Sequence, residues 1–235
     1  MIRTNLSGYY VAMTLRPINA RASLFYFKPL LIGLTMLMLV LAFAKLGHEV
    51  NAGNTHFFDM QLLQYAQSLR AAYPWLAESM RDASGLGSST VLALLTLFAV
   101  GYLTLVGARV NALLVATAVS SGTALLSVLK AAFGRLRPDA AYAEFLLPGL
   151  SFPSGQASIS TLVFLTIGTL IAYTRSRRTE RVYILLCAGL MAALVGLSRV
   201  ALGVHWATDV LGGWAFGTAW ALGWLLCWQG VKKQP

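Results

Sequence analysis

The sequence predicts an all-α membrane protein, a bundle of six transmembrane helices with one interfacial helix and both termini in the cytoplasm. Hydrophobic residues make up 57% of the 235 residues and charged residues only 11%, whereas a soluble domain carries about 25% charged residues. Uncharged stretches recur at roughly the length that a helix needs to cross a bilayer. Lys and Arg are concentrated in one set of the connections between these stretches, which indicates an orientation in the membrane.

Six apolar stretches give the transmembrane helices in chain order. Each is predicted to be helical, because a segment in hydrocarbon must satisfy its own backbone hydrogen bonds. The first stretch, between Lys28 and Lys45, is short, and residues 24–27 extend it. The fourth follows a Gly-, Pro- and Ser-rich segment, so its helix is expected to start at Gly155. The expected helices cover about residues 24–45, 86–107, 110–129, 155–174, 182–198 and 207–228.

The segment between the first two spans is less apolar and predicts an interfacial helix at about residues 56–71. Phe58, Leu62, Tyr65 and Leu69 recur there at helical spacing. A helix that only packs on the rim of the bundle is an equally good interpretation. No internal repeat or low-complexity linker divides the chain, so residues 1–235 are expected to form a single membrane domain.

The net charge of +10 is placed as expected for a membrane protein rather than for a nucleic-acid-binding protein. With the N-terminus inside, eleven of the 18 Lys and Arg residues lie on the cytoplasmic side with a single acid, Glu180. The opposite side then carries equal numbers of basic and acidic residues. The cytoplasmic basic residues are Arg3, Arg16, Arg21, Lys28, Arg109, Arg175, Arg177, Arg178, Arg181, Lys232 and Lys233.

Three polar clusters fall at helix ends on the outer side. Residues 130–138 leave the third helix, residues 151–158 enter the fourth, and residues 198–209 join the fifth to the sixth. Taken singly, each has a structural explanation, such as a snorkelling lysine, a turn with an N-cap, or an interfacial belt. Together they bring three cations and a His–Asp pair to one face, which favours a functional site.

The cations of these clusters are typical of a phosphoryl-transfer site. Lys130, Arg137 and Arg199 can surround a group with several negative oxygens. Ser154 and Gly155 begin a helix, whose free N–H groups and dipole bind anions. These residues therefore predict a phosphate-binding site.

His205 and Asp209 are four residues apart, the spacing of one helical face. A carboxylate that accepts the N–H of one ring nitrogen leaves the other nitrogen free to attack phosphorus. We expect neither a metal nor a cofactor, since the cations supply the positive charge. Cys187 and Cys227 lie in apolar runs without a Cys/His cluster, so a zinc site and a disulfide framework are not expected.

The three clusters resemble the signature of the type 2 phosphatidic acid phosphatase family, K-x6-R-P, P-S-G-H and S-R-x5-H-x3-D. Here they read Lys130-x6-Arg137-Pro138, Pro153-Ser154-Gly155-Gln156 and Ser198-Arg199-x5-His205-x3-Asp209. The resemblance implies a metal-independent membrane lipid phosphatase with His205 as nucleophile and Asp209 orienting it. It also implies phosphate-binding roles for Lys130, Arg137, Ser154, Gly155, Ser198 and Arg199.

Gln156 departs from the family pattern, which has His at this catalytic position. In the family that His is thought to protonate the leaving oxygen, whereas the Gln amide donates hydrogen bonds but transfers no proton at neutral pH. We therefore expect Gln156 to slow or inactivate this chain. An engineered substitution and a natural variant both explain it, and the otherwise intact site favours the former.

The positive-inside charge placement and the compact six-helix chain fit an enzyme of the bacterial inner (plasma) membrane, with its active site expected to face the periplasm. The expected partners are the bilayer and a lipid phosphate, namely undecaprenyl diphosphate, phosphatidylglycerol phosphate or phosphatidic acid, and no nucleic acid. A phosphotransferase that passes the phosphoryl group to another lipid would use the same residues. A non-catalytic lipid-phosphate binder, with Gln156 as a natural loss of function, is the third possibility.

Overall fold

The computed structural model describes residues 20–232, with side chains from residue 29 to residue 231. The regular secondary structure of this part is helical throughout. The helices are α1 (Ala20–Asn51), α2 (His56–Ala72), α3 (Pro74–Gly85), α4 (Ser89–Leu105), α5 (Arg109–Phe133), α6 (Gly155–Tyr173), α7 (Arg178–Ala201) and α8 (Ala207–Lys232). The cytoplasmic placements of Arg3, Arg16 and Lys233 lie outside the described residues.

Six segments of the described chain are long and apolar enough to cross a membrane, which confirms the predicted six-span helical architecture. Their mean hydropathies lie between 1.4 and 2.2. They are Pro29–Asn51, Pro74–Leu105, Arg109–Phe133, Gly155–Tyr173, Arg178–Ala201 and Ala207–Val231.

Several helices extend beyond the expected bounds. α5 runs to Phe133 rather than to residue 129, so Lys130 lies in its last turn and not after it. α7 covers Arg178–Ala201 rather than residues 182–198, and so includes Arg199. The expectation stopped at charged residues, whereas long basic side chains can extend from a helix end to the interface.

The helix α3 was not predicted from the sequence. Its composition is polar, but Pro74 occupies the first helical turn, where its missing N–H group costs no intrahelical hydrogen bond. A short turn separates α3 from α4, and the two helices together form the second apolar segment.

The face of α2 that packs against the bundle is not the apolar stripe that the sequence pattern identifies. Asp59, Leu63 and Ala66 are its buried residues, whereas Phe58 and Tyr65 are 47% and 61% exposed. α2 packs against α7 and α8. Its apolar stripe therefore remains available to the membrane interface while an aspartate enters the protein.

The central helix of the bundle is α6, which packs against α5, α7 and α8, while α1 packs along α8. Because the chain alternates in direction, the C-terminal ends of α5 and α7 meet the N-terminal ends of α6 and α8. All three polar clusters lie at this end of the bundle.

Candidate active site

A cavity of about 530 Å³ lies where these helix ends meet. One part of its wall is polar and consists of Lys130, Arg137, Gly155, Gln156, Arg199 and His205. Another part is apolar, with Leu92 from α4, Val119 and Leu126 from α5, and Ile159 from α6. The cavity therefore offers a cationic end for a head group and an apolar wall for a lipid chain.

His205 lies in the connection between α7 and α8 and is only 2% exposed. Its Nδ1 atom is 3.2 Å from Oδ2 of Asp209, and its Nε2 atom is 2.9 Å from Nη1 of Arg137. The carboxylate accepts a hydrogen bond from the Nδ1–H group, so Nε2 carries the lone pair and accepts a hydrogen bond from Arg137. The lone pair thus lies on the cationic side of the site.

Burial lowers the pKa of His205 to about 4, although its hydrogen bond to Asp209 acts in the opposite direction. Desolvation disfavours the charged imidazolium. The imidazole is therefore neutral at pH 7, which is the form that a nucleophilic nitrogen requires.

Asp209 is fully buried and is held on both carboxylate oxygens. Oδ2 accepts hydrogen bonds from the hydroxyl of Ser151 and, at 3.0 Å, from the backbone N–H of Trp206. Oδ1 accepts one from Nη1 of Arg135 at 2.7 Å. These contacts fix the carboxylate that orients His205.

Arg135 connects Asp209 to the interfacial helix. Its Nη2 donates to Oδ2 of Asp59 at 2.6 Å, and Asp59 also accepts from the backbone N–H and hydroxyl of Thr208 at 2.9 and 2.7 Å. Asp59 is 1% exposed. The local sequence pattern predicts no role for Asp59, Arg135 or Ser151, because nothing in it relates them to Asp209.

The three predicted cations form no direct ion pair with a carboxylate among the described side chains. Lys130 Nζ donates to the carbonyl of Leu150 at 2.8 Å. Arg137 donates to the carbonyls of Gly149 and Val204 at 3.2 and 2.9 Å. Backbone carbonyls thus position these side chains and leave their charge available to an anion.

Two buried polar atoms here have no hydrogen-bond partner among the described residues, Oγ of Ser154 and Nε of Arg199. Ser154 is the N-cap of α6, but its side chain makes no capping hydrogen bond. Gly155 follows as the first helical residue, where the backbone N–H groups have no partner within the helix. An unpaired buried donor is costly, so the arrangement suits a bound anion.

Gln156 is joined to Arg199 through Ser84, another residue for which the sequence pattern predicts no role. The hydroxyl of Ser84 accepts a hydrogen bond from Nη1 of Arg199 and donates to Oε1 of Gln156 at 3.1 Å. Because Oε1 is the acceptor in this pair of hydrogen bonds, the amide NH₂ group of Gln156 remains available to donate to another acceptor.

Two predicted phosphate-binding residues, Ser154 and Ser198, do not line the cavity. Ser154 directly precedes Gly155, which does line it, whereas Ser198 lies inside α7. The hydroxyl of Ser198 donates to the carbonyl of Val195 in its own helix at 2.7 Å. A serine inside a helix commonly bonds back in this way, so a role in packing fits Ser198 better than contact with phosphate.

A family model described as the PAP2 superfamily matches residues 109–233. Phosphatidylglycerophosphatase B of Bacillus subtilis (strain 168) is 35% identical over 148 residues, which are 61% of this chain and 71% of that protein. The crystal structure described as the first transmembrane PAP2-type phosphatidylglycerolphosphate phosphatase from Bacillus subtilis matches with a TM-score of 0.75 and 29% identity. That match covers 85% of this chain and 98% of the other.

Proposed function

Because this chain belongs to the PAP2 superfamily and is a multi-pass membrane lipid phosphatase, we propose that it hydrolyses its substrate through a phosphohistidine on His205. The observation that carries the proposal is that the two ring nitrogens of His205 have different partners. Nδ1 is held by Asp209, and Nε2 meets the cation that would bind the phosphate.

The reaction proceeds in two displacements. Nε2 of His205 attacks phosphorus, a P–N bond forms, and the bond from phosphorus to the lipid oxygen breaks. Arg137 transfers its hydrogen bond from Nε2 to a phosphate oxygen as the attack begins. The Nδ1–H group continues to donate to Asp209, whose negative charge stabilises the positive ring of the phosphohistidine. Water then attacks phosphorus, the P–N bond breaks, and inorganic phosphate leaves with His205 restored.

The positive charge for both displacements comes from Lys130, Arg137 and Arg199, and the mechanism is therefore metal-independent. Gln156 donates a hydrogen bond to the leaving oxygen but supplies no proton, so that oxygen takes its proton from water. We infer that the missing proton donor slows turnover most for substrates whose leaving oxygen is a poor leaving group.

The substrate is a phosphomonoester or diphosphate lipid: phosphatidylglycerol phosphate, undecaprenyl diphosphate or phosphatidic acid. Phosphatidylglycerol phosphate is supported by the descriptions of both Bacillus subtilis matches. The 235 residues act as a single domain in a bacterial inner membrane, with the cavity on the periplasmic side. The arginines at the opposite end of α6 and α7 support this orientation.

The test is phosphate release from the three lipids in detergent micelles, combined with labelling of the enzyme. Purified chain should release phosphate and carry acid-labile label at His205 when a ³²P-lipid reaction is stopped. His205→Ala should lose both, with activity falling by several orders of magnitude. His48→Ala, an exposed histidine of α1, is the matched control and should retain both.

Two results would contradict the proposal. One is label on a residue other than His205, and the other is full activity in His205→Ala. Adding an acceptor lipid tests the phosphotransferase alternative, which predicts label in that lipid instead of inorganic phosphate. Absence of turnover on every lipid phosphate, also in Gln156→His, would favour a binding protein.

A further inference from the structure

A second cavity, of about 320 Å³, lies beside the first at the junction of α3 and α4. Its polar wall consists of Arg81, Ser84, Ser88, Gln156 and Arg199. Gln156 and Arg199 also line the first cavity. Leu147 is the third residue that lines both cavities, so the two cavities meet at these three side chains.

The second cavity lies on the leaving-group side of the reaction. In an in-line displacement the leaving oxygen is opposite the nucleophile, and His205 lines only the first cavity. Gln156 occupies the sequence position of the family's leaving-group acid. Whatever follows the leaving oxygen in the substrate therefore comes close to the wall that Gln156 shares with the second cavity.

The chemistry of this cavity suits an anion. Arg199 is 2% exposed, and its Nε atom has no hydrogen-bond partner among the described residues. Ser88 is the N-cap of α4, so the positive end of a 17-residue helix adds its field. Arg81 contributes a guanidinium, which binds phosphate through paired N–H groups.

The present partner of Arg81 does not prevent this role. Arg81 lies 3.2 Å from Glu144, and its side chain is 48% exposed. Glu144 also lies 3.8 Å from Arg70, whose side chain is only 8% exposed. Arg81 can therefore turn to a phosphate while Glu144 keeps a cationic neighbour.

We propose that the second cavity binds a second phosphate in the leaving group of the substrate, with Arg81 as its specificity-determining cation. Lipid diphosphates and phosphatidylglycerol phosphate both carry such a phosphate, whereas phosphatidic acid does not. The inference rests on the proposed lipid phosphatase function and narrows its substrate class.

The experiment compares Arg81→Gln with the unsubstituted chain on a polyprenyl diphosphate, phosphatidylglycerol phosphate and phosphatidic acid. Comparing the variants substrate by substrate cancels the effect of Gln156 on each leaving group. Arg81→Gln should lower kcat/KM by about tenfold on the first two substrates, the usual size for a lost charged hydrogen bond. On phosphatidic acid it should change kcat/KM by less than about twofold.

Two further variants control for general effects. Arg177→Gln removes an arginine that is 80% exposed and is paired with Glu180 at 3.9 Å, and it should leave all three rates unchanged. Arg81→Lys keeps the positive charge, so its kcat/KM on the first two substrates should fall less than that of Arg81→Gln.

The comparison between substrates also shows which kind of second phosphate the cavity binds. A loss confined to the diphosphate assigns the cavity to a directly attached phosphate, and a loss confined to phosphatidylglycerol phosphate assigns it to the phosphodiester beyond the glycerol. An equal change on all three lipids, or no change on any, would overturn the subsite. That result leaves the proposed function standing, whereas absence of turnover by both the unsubstituted chain and Gln156→His would refute the function itself.

Discussion

Gln156 occupies a position where proton transfer and hydrogen bonding can be distinguished. Its Oε1 atom accepts from Ser84, and Arg199 fixes the direction of that hydroxyl. The NH₂ group can therefore donate to a substrate oxygen, but it has no proton to transfer at neutral pH. Binding and chemistry should consequently respond differently to a substitution here.

We expect Gln156→His to raise turnover of a phosphomonoester lipid by about 10²- to 10⁴-fold, the usual contribution of a general acid. The gain on a lipid diphosphate should be smaller, because a lipid monophosphate leaves readily without a proton. Substrate affinity should change little, since Lys130, Arg137 and Arg199 are untouched. Turnover of both lipids in one detergent, for both forms, measures the difference.

Gln61→His provides the control, because it introduces the same side chain at an exposed position of α2. It should leave both rates unchanged. Equal gains on monoester and diphosphate in Gln156→His, or no gain on either, would show that position 156 does not act on the leaving group.

The predicted site residues that line the cavity were found through motif spacing, and the missed residues lie outside any such spacing. Lys130, Arg137 and His205 belong to fixed patterns at helix ends. Asp59 is separated from Arg135 by 76 residues and from Thr208 by 149. Only the packing of α2 against α8 brings it to the site, so a local reading of the sequence cannot identify it.

At the level of elements, the contact between α6 and α8 sets the geometry of the site, because Gly155 begins one helix and Asp209 lies in the first turn of the other. Gly213 and Gly217 are four residues apart, the spacing that allows close helix contact. A Cβ atom added at Gly217 would contact the carbonyl of Ser158 too closely and lie 2.9 Å from Cβ of Thr161. Glycine is therefore required for the two helices to approach to this distance.

We predict that Gly217→Ala destabilises the protein by about 1–3 kcal/mol, the usual cost of overpacking, and lowers activity by separating α6 from α8. Gly101→Ala is the matched control, because nothing lies within 4 Å of an added Cβ there. It should leave the protein as stable or slightly more stable, since Ala favours a helix. Thermal unfolding in detergent measures both, and an equal Tm for the two variants would contradict the packing argument.

Element by element, hydrophobicity predicts which segments span the membrane better than it predicts where helices end. The six spans follow from hydrocarbon thickness, which acts on every residue of a segment. The end of α5 depends instead on Gly134, whose φ of 61° stops the helix in a left-handed cap. The start of α3 depends on Pro74, whose fixed φ suits a first helical turn.

For the whole molecule, the charge distribution distinguishes the two ends of the bundle. The connection between α6 and α7 contributes Arg175 and Arg177, and the first turn of α7 adds Arg178 and Arg181. Arg109 begins α5 at the same end of the bundle. By the positive-inside rule we predict that this end is cytoplasmic, and that the cavity of the proposed active site opens on the periplasmic side.

Two single-cysteine variants test this orientation, made in a chain with Cys187 and Cys227 replaced by Ser. Ala140→Cys marks the connection between α5 and α6 beside the cavity, and Ser176→Cys marks the connection between α6 and α7. Both positions are exposed. A membrane-impermeant maleimide added to intact spheroplasts should label Ala140→Cys at once and Ser176→Cys only after permeabilisation. The reverse pattern would place the cavity in the cytoplasm, and the lipid phosphate would then have to enter from the inner leaflet.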